Sequence, residues 1–476
     1  MTNSLTIDEV VEVFRRHLYL PDDTPLVAIC GAVAANLLEA DPVWLLLVGA
    51  PGDGKTEQTQ PLTGLPYVHA VGTFTEGALL SGTSKKDRAA HAKGGLLQEA
   101  GEFGILLCKD FGSVLSMNRD TRNSALAALR EIYDGSWVRH VGTDGGQKLE
   151  WTGKLGFIGG VTPTIDRHHA VMGVMGERFL LLRLPKVGKD RQTERALRRP
   201  GSPKAMRDEL VFAVQRLFAG ATNRTPVELN DEEVARLTAL ADFVTTCRSA
   251  VERDGYSREI ELVPPSEAPT RLALQLRSLL YGLDTLGVQR QRAWRIVQKV
   301  ALDSMPALRR RVIEALAESG EIKTPEFADI LDYPTSTVRR ALQDLTAHGA
   351  VTRTARGKGS GSDSWALSQW TTDHLAALVP EMSVGGHEAL VPEMSVGKSG
   401  APPETPKKAA DLRSYTLPSA PTDISGTQSV PPLPLVSENP DPLVSEPEHT
   451  RQCSDCGRLT FASDGFCLGC RERKQA

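Results

Sequence analysis

Aromatic residues make up only 5% of this 476-residue chain. Its cores must therefore be built mainly from aliphatic side chains. Charge of either sign is barely in excess: 55 Lys and Arg stand against 59 Asp and Glu, a net charge of -4. No overall attraction to nucleic acid follows, so any such contact has to come from local basic patches. Long hydrophobic runs are missing. The apolar run from Val43 to Val48 falls far short of the roughly 20 residues that a bilayer-spanning helix needs. The opening stretch from Met1 to Glu9 lacks the basic flank and apolar core of a secretory signal. These absences predict a cytoplasmic protein with no membrane partner. Of seven cysteines, Cys30, Cys108 and Cys247 are scattered among apolar or mixed neighbours and are expected to be buried thiols. What is present, 40% hydrophobic and 24% charged residues, is ordinary for a globular protein. The length predicts about two to four folded units.

Along the chain, residues 1–24 are expected to form an N-terminal helix, with Val10, Val11, Val13 and Phe14 on one side. Residues 25–204 alternate short apolar strands with helical stretches, the pattern of an α/β domain with a largely parallel sheet. Residues 205–303 carry apolar positions at helix spacing and read as wholly helical. Residues 304–370 form a compact mixed unit. Residues 371–450, rich in Pro, Ser, Glu and Thr, bury too little apolar surface to offset their ordering entropy and read as a disordered linker. Within it Ala377–Gly385 recurs as Ala389–Gly397, either a pair of docking motifs or a slippage duplication. Residues 451–476 hold the other four cysteines.

The sharpest motif is Gly49-Ala50-Pro51-Gly52-Asp53-Gly54-Lys55-Thr56, directly after the apolar strand Trp44–Val48. Glycines let a backbone wrap round phosphates with its N–H groups pointing inward. Lys55 would reach the β- and γ-phosphates of ATP, and the Thr56 hydroxyl would hold Mg²⁺. A second apolar strand, Gly104 to Cys108, leads through Lys109 into Asp110, the place for a group that holds Mg²⁺ or positions water. A helix from Asn123 to Tyr133 follows. Then comes a hairpin, Trp137–Val141 and Lys148–Trp151, around Thr143-Asp144-Gly145-Gly146. A strand, Leu155–Ile158, runs on to Thr162-Pro163, and Gly176-Glu177-Arg178-Phe179 precedes a last strand, Leu180–Leu184.

This order resembles the AAA+ branch that contains minichromosome-maintenance helicases, magnesium chelatases and MoxR-type ATPases. The likeness covers roughly residues 25 to 305. It implies a P-loop ATPase core with a helical lid. It implies Thr162 as sensor 1, Arg178 as an arginine finger, and Arg271, in Pro269-Thr270-Arg271, as sensor 2. A finger acting in trans implies a homo-oligomeric ring, a hexamer, with the hairpin turning Arg139, His140 or Lys148 towards a central channel. An ordinary salt-bridging Arg178, an ordinary helix-start Arg271 and a plain exposed hairpin are the alternatives. Two departures stand out. Lys109 occupies the usual metal-side Asp place and Asp110 the usual catalytic Glu place, so Asp110 either orients water or serves the metal. Thr162 replaces the usual Asn, and its hydroxyl can still orient water.

Residues 304–370 closely resemble bacterial winged helix-turn-helix domains: Leu308–Ser319, then Pro325–Leu331 capped by Thr324, then a third helix from Pro334 to near Gly349, and a wing from Val351–Arg353 to Ser364–Leu367. Ser336, Thr337, Arg339 and Arg340 lie where such helices meet base edges of DNA. Arg353, Arg356 and Lys358 are placed to meet phosphates. A winged helix used for protein contacts is the alternative. Cys453-x-x-Cys456 and Cys467-x-x-Cys470, ten residues apart, have the spacing of a tetrahedral Zn²⁺ site, a short ribbon or knuckle, against a redox dithiol. His168-His169 is a weaker metal candidate. Together these features predict an ATP-hydrolysing protein acting on DNA: a helicase, loader or replication initiator. A nucleotide-gated DNA-binding transcriptional regulator and a MoxR-like protein remodeller are the competing readings.

Overall fold

Thr6 starts the first helix, α1 (Ile7–His17), with a capping box: its hydroxyl accepts from the Glu9 N–H, and the Glu9 carboxylate accepts from the Thr6 N–H. The computed structural model describes residues 4–81, 94–142, 146–169, 177–185, 188–198, 201–221, 224–355 and 362–378, and the backbone of 451–452 and 459–460. Helix α1 buries Ile7, Val10, Val11 and Phe14, whereas Val13 is only half-buried. α2 (Thr24–Asn36) is buried on nearly every side.

The core elements then follow as β1 (Trp44–Val48), α3 (Lys55–Thr59), β2 (Val68–Val71), α4 (Glu76–Leu79), α5 (Leu96–Ala100), β3 (Phe103–Cys108), α6 (Phe111–Leu115), α7 (Arg119–Tyr133), β4 (Ser136–Val141), β5 (Gln147–Thr152), β6 (Lys154–Val161) and β7 (Phe179–Arg183). One five-stranded sheet runs in the order β2-β3-β6-β1-β7, and every pairing in it is parallel. β1 and β3 are continuous apolar runs, and so is β6 after its first residue, Lys154, because both sheet faces are covered. The register sets Val48 beside Val161 and Arg183, and Cys108 beside Gly159. The carboxyl ends of β1, β3 and β6 therefore share one edge.

In a chain poor in aromatics, several of them collect around Trp44. Its ring meets Tyr133, Phe157 and Phe179 at 5.1, 5.7 and 5.0 Å, and its Nε1 donates to the Leu155 carbonyl at 2.7 Å. Trp44→Ala is expected to cost about 3–5 kcal/mol, the range for truncating a buried Trp, read as a fall in thermal midpoint. Cys30, Cys108 and Cys247 are buried and free, and burial pushes the Cys30 and Cys108 thiols up to about 12.

The helical part comprises α8 (Lys189–Leu197), α9 (Pro203–Ala221), α10 (Asp231–Arg248), α11 (Thr270–Thr285) and α12 (Arg290–Asp303). α11 crosses α2 in near backbone contact: a Cβ on Gly282 would lie 2.2 Å from the Gly31 carbonyl oxygen. The expectation of a wholly helical 205–303 is corrected here. A hairpin of β8 (Glu252–Arg253) and β9 (Ile260–Leu262) joins α10 to α11. Asp254-Gly255 opens its turn, and periodicity over the flanking helices masks so short a signal.

A winged helix follows: α13 (Ala307–Ser319), β10 (Ile322–Lys323), α14 (Thr324–Leu331), α15 (Thr335–Ala347), β11 (Val351–Thr354) and β12 (Ser364–Leu367), with sheet order β10-β12-β11. Thr324 does not cap α14 as expected. It is the first residue of α14, and its buried hydroxyl donates to the Asp363 carbonyl and accepts from Trp365 Nε1. Nor does the linker begin at 371. α16 (Gln369–Leu378) continues past it, because Leu378 finds a buried apolar seat. Residues 379–450 lie outside the described residues. A second unit, 394–476, is described only at β13 (Arg451–Gln452) and β14 (Leu459–Thr460), an antiparallel pair. Among the described residues, no helix is long and apolar enough to cross a membrane.

Candidate nucleotide site and nucleic-acid interface

The turn after β1 depends on two glycines at positive φ, Gly52 at 89° and Gly54 at 78°, which a side chain would strain. They bend the loop so that Lys55 folds back over it. Its Nζ donates to the Gly49 carbonyl at 2.6 Å and the Ala50 carbonyl at 2.8 Å. The Lys55 stem runs past Gly160, where a Cβ would lie 3.7 Å from Cδ and Cε and 2.9 Å from the Lys109 carbonyl oxygen. Gly160 thus keeps open the space between β3, β6 and the loop. Burial lowers the Lys55 pKa, opposed by the carboxylates of Asp53 and Asp110. Asp110 is therefore electrostatically close to the ammonium.

Asp53 was expected only as a loop position. Its Oδ2 accepts from the Ala50 N–H at 2.6 Å, filling a donor that a phosphate would otherwise use. Gln192 of α8 donates to the Gly52 carbonyl at 2.8 Å, an anchor across 140 residues that no local pattern could reveal. Asp53→Ala would free the Ala50 N–H and remove a negative charge from the cradle. The expected result is nucleotide binding tighter by about three- to tenfold, the net scale of one ordinary hydrogen bond, measured by titration with a fluorescent nucleotide.

Asp110 lies just beyond β3 and caps α6, where its Oδ1 accepts from the Gly112 N–H at 3.0 Å. Thr162 follows β6, and its Oγ1 lies 2.6 Å from Thr164 Oγ1. Thr56 and Lys109 are exposed. Lys55, Thr56, Asp110 and Thr162 thus gather along the carboxyl edge of the sheet. Hard oxygen donors beside a phosphate loop suit Mg²⁺, and Thr56 and Asp110 supply them.

Arg178 and Arg271 do not join this cluster. Arg178 immediately precedes β7, at the amino edge of the sheet, opposite the loop. Its guanidinium is only 5% exposed, pairs with Asp134 at 2.9 Å and lies over the Tyr133 ring at 5.3 Å. Gln275 of α11 donates to the Arg178 carbonyl at 2.6 Å. Arg271 pairs with Glu267 at 3.0 Å. It lines a cavity of about 700 Å³ together with Asp41, Asp134, Gly153 and Lys154, residues that flank the starts of β1 and β6. Neither arginine is placed to meet the phosphate loop of its own chain. Within this chain Arg178 is the partner of a carboxylate at the rim rather than an exposed finger. Burial pushes Lys154 in the same cavity down to about 8.

Other expected positions are also fixed by neighbours. Arg139 donates to Glu76 Oε1 at 2.9 Å and to the Leu80 carbonyl at 2.8 Å, so it is held within its own chain rather than presented to a channel. Lys148 pairs with Glu150 at 2.8 Å, and His140 is exposed. His169 binds the Arg248 carbonyl and lies 3.4 Å from Glu177. Burial pushes this imidazole down to about 4 and Glu177 up to about 7. The His168-His169 pair is not gathered with other ligands: among the described residues no group of three or more His, Cys, Asp or Glu is placed to hold a metal.

On α15 the side chains of Ser336, Arg339 and Arg340 are exposed and Thr337 is half-exposed, while Val338, Ala341, Leu342 and Leu345 are buried. Arg353 stacks on Trp365 at 5.6 Å and pairs with Asp363 at 2.7 Å, which reduces the charge it can offer a phosphate. Arg356, Lys358, Cys453, Cys456, Cys467 and Cys470 lie outside the described residues.

Residues 309–362 match the DeoR-like helix-turn-helix domain family. The matched segment contains α14, α15 and the described wing strand β11. The wider chain is similar in structure to a provisionally assigned ATPase from Cytophaga hutchinsonii (14% identity, TM-score 0.37, covering 69% of this chain and 94% of that one). It is also similar to a full-length MCM homolog from Methanopyrus kandleri (15% identity, TM-score 0.35, 63% and 60%). A third is an active helicase, SCCmec type IV Cch (9% identity, TM-score 0.30, 78% and 72%). No curated protein sequence matches the chain.

Proposed function

We propose that this chain is an ATP-hydrolysing AAA+ protein that acts on DNA, as a helicase, loader or replication initiator. The observation that carries the reading is the gathering of Lys55, Thr56, Asp110 and Thr162 on the carboxyl edge of a parallel sheet, in a chain that also bears a helix-turn-helix. In this reading the triphosphate displaces the carbonyl contacts of Lys55 and the Asp53 contact at Ala50. Lys55 then neutralises the β- and γ-phosphates. Thr56 and Asp110 would hold Mg²⁺, which would supply charge neutralisation to the triphosphate. Thr162 orients the attacking water, and Asp110 would take that role instead where Thr56 and water hold the metal. Arg178 and Arg271, at the opposite edge, serve a neighbouring copy in a hexameric ring. Cys453, Cys456, Cys467 and Cys470 hold a structural zinc.

One observation favours a second reading, a nucleotide-gated DNA-binding regulator. Lys109, which is exposed, stands directly before Asp110 in the place of a metal-side acid, an arrangement suited to slow turnover. Hydrolysis by the wild type with and without single- and double-stranded DNA separates the two. Stimulation by DNA supports the motor, and binding without turnover under any condition overturns it. For the DNA interface, Arg339→Ala is expected to weaken duplex binding by about 1–3 kcal/mol if the arginine meets a base edge, read by fluorescence anisotropy at fixed salt.

A further inference from the structure

The hairpin β8–β9 does not stand free in solvent. Arg253, mostly buried, donates to Gln343 Oε1 at 3.2 Å, to the Arg340 carbonyl at 3.2 Å and to Asp344 Oδ1 at 2.5 Å. These three contacts pin the hairpin along the later half of α15. The turn itself is ordered. Asp254 Oδ1 accepts from the Tyr256 and Ser257 N–H groups at 2.9 and 2.5 Å, and Arg253 donates to the Arg258 carbonyl at 2.7 Å. Tyr256 at its tip is 99% exposed.

The side of α15 that the hairpin occupies matters. Val338, Ala341, Leu342 and Leu345 face the winged-helix core. At helix spacing the opposite stripe is Ser336, Arg339, Arg340 and Gln343. Arg253 holds Gln343 of this stripe through its side-chain oxygen and Arg340 through its main-chain carbonyl alone, so the hairpin sits beside the C-terminal end of the stripe while the Ser336, Arg339 and Arg340 side chains stay exposed. A major groove about 12 Å wide admits one helix or one two-stranded ribbon, and a helix with its side chains already spans about 10–12 Å. The helix and the hairpin cannot enter together. Charge acts in the same direction. Between residues 252 and 262 the acidic side chains are Glu252, Asp254, Glu259 and Glu261, against Arg253 and Arg258. Arg253 is already committed to Asp344, and the three glutamates are exposed. Phosphates approaching α15 would meet this negative surface.

We infer that the 252–262 hairpin is a guard that keeps duplex DNA from the third helix of the winged domain until it lifts. The inference rests on the DNA-binding reading above. The hairpin joins α10 to α11, and its root is tied to the winged domain as well, by Arg309 on the Ser249 carbonyl at 2.6 Å and by His348 on the Ala250 carbonyl at 3.3 Å.

The test uses the full-length protein and a short labelled duplex of mixed sequence, read by anisotropy at low and high salt. In one variant residues 252–262 are replaced by a Gly-Ser link. In a second, Glu252→Gln, Glu259→Gln and Glu261→Gln are combined, which keeps the backbone and the Arg253 contacts. The linked variant is expected to bind about tenfold tighter. The triple variant is expected to bind about three- to fivefold tighter at low salt, with the gain shrinking as salt screens it. Unchanged or weaker binding by the triple variant overturns the guard, and weaker binding would make the hairpin a DNA contact instead. Arg339→Ala combined with Arg340→Ala separates the two levels. If that double variant weakens binding while the hairpin variants do not tighten it, the guard fails and the DNA reading stands. If the double variant binds as wild type does, the DNA reading itself fails.

Discussion

Replacing Lys55 with alanine is expected to lower ATP hydrolysis by roughly two to three orders of magnitude, the scale seen when one preorganised electrostatic contact is lost from a reacting centre. The reason lies in the geometry of the loop. The ammonium sits between the Gly49 and Ala50 carbonyls, with the carboxylates of Asp53 and Asp110 acting on it. It is the cation the described structure brings into the cradle formed by residues 49–56. Stability should change little, since the side chain is only half-buried and gives up two exchangeable contacts. The check is steady-state phosphate release by wild type and Lys55→Ala, with and without DNA, beside a thermal melt. Hydrolysis that survives in the variant would remove the phosphate loop from the reaction.

Arg178→Ala is expected to reduce hydrolysis by roughly 10³-fold or more, if it supplies transition-state charge to a neighbouring copy, while leaving nucleotide binding near the wild-type value. Its place at the edge opposite its own loop is why the loss should fall on the rate and not on affinity. The stability cost should stay near 1–2 kcal/mol rather than several, because the Asp134 left behind is 56% exposed and can be solvated again. Mixing supplies the decisive measurement. Arg178→Ala protein keeps an intact loop, and Lys55→Ala protein keeps the arginine. Each is inactive alone, and the two together should regain part of the activity. Hydrolysis by Arg178→Ala at the wild-type rate would reduce the residue to the structural partner of Asp134.

The phosphate loop was legible because its chemistry is local: two glycines at positive φ, a lysine and a hydroxyl within eight residues of an apolar strand. The strands were legible too, as runs of apolar residues covered on both faces, and so was the winged helix, whose helices alternate buried and exposed positions at helix spacing. Asp110 and Thr162 could be placed near the loop from the sequence because each lies just past such a strand, Asp110 beyond Lys109 after β3 and Thr162 directly after β6, and parallel strands carry their carboxyl ends to one edge. The 252–262 hairpin was missed because a few residues of extended chain between two long helices leave little periodicity to detect.

The residues themselves thus determined which segments form strands and helices, where the chain can wrap phosphate, and which face of α15 is polar. Tertiary structure decided what each charge does. Nothing in the sequence near Arg178 points to Asp134, 44 residues away, nothing near Gly52 points to Gln192, and nothing near Gln343 points to Arg253. These pairings depend on which strand edges and helix ends are brought together when the apolar surfaces are buried. Long-range Coulomb and hydrogen-bond partners follow from that packing, and short-range patterns in the chain do not encode them.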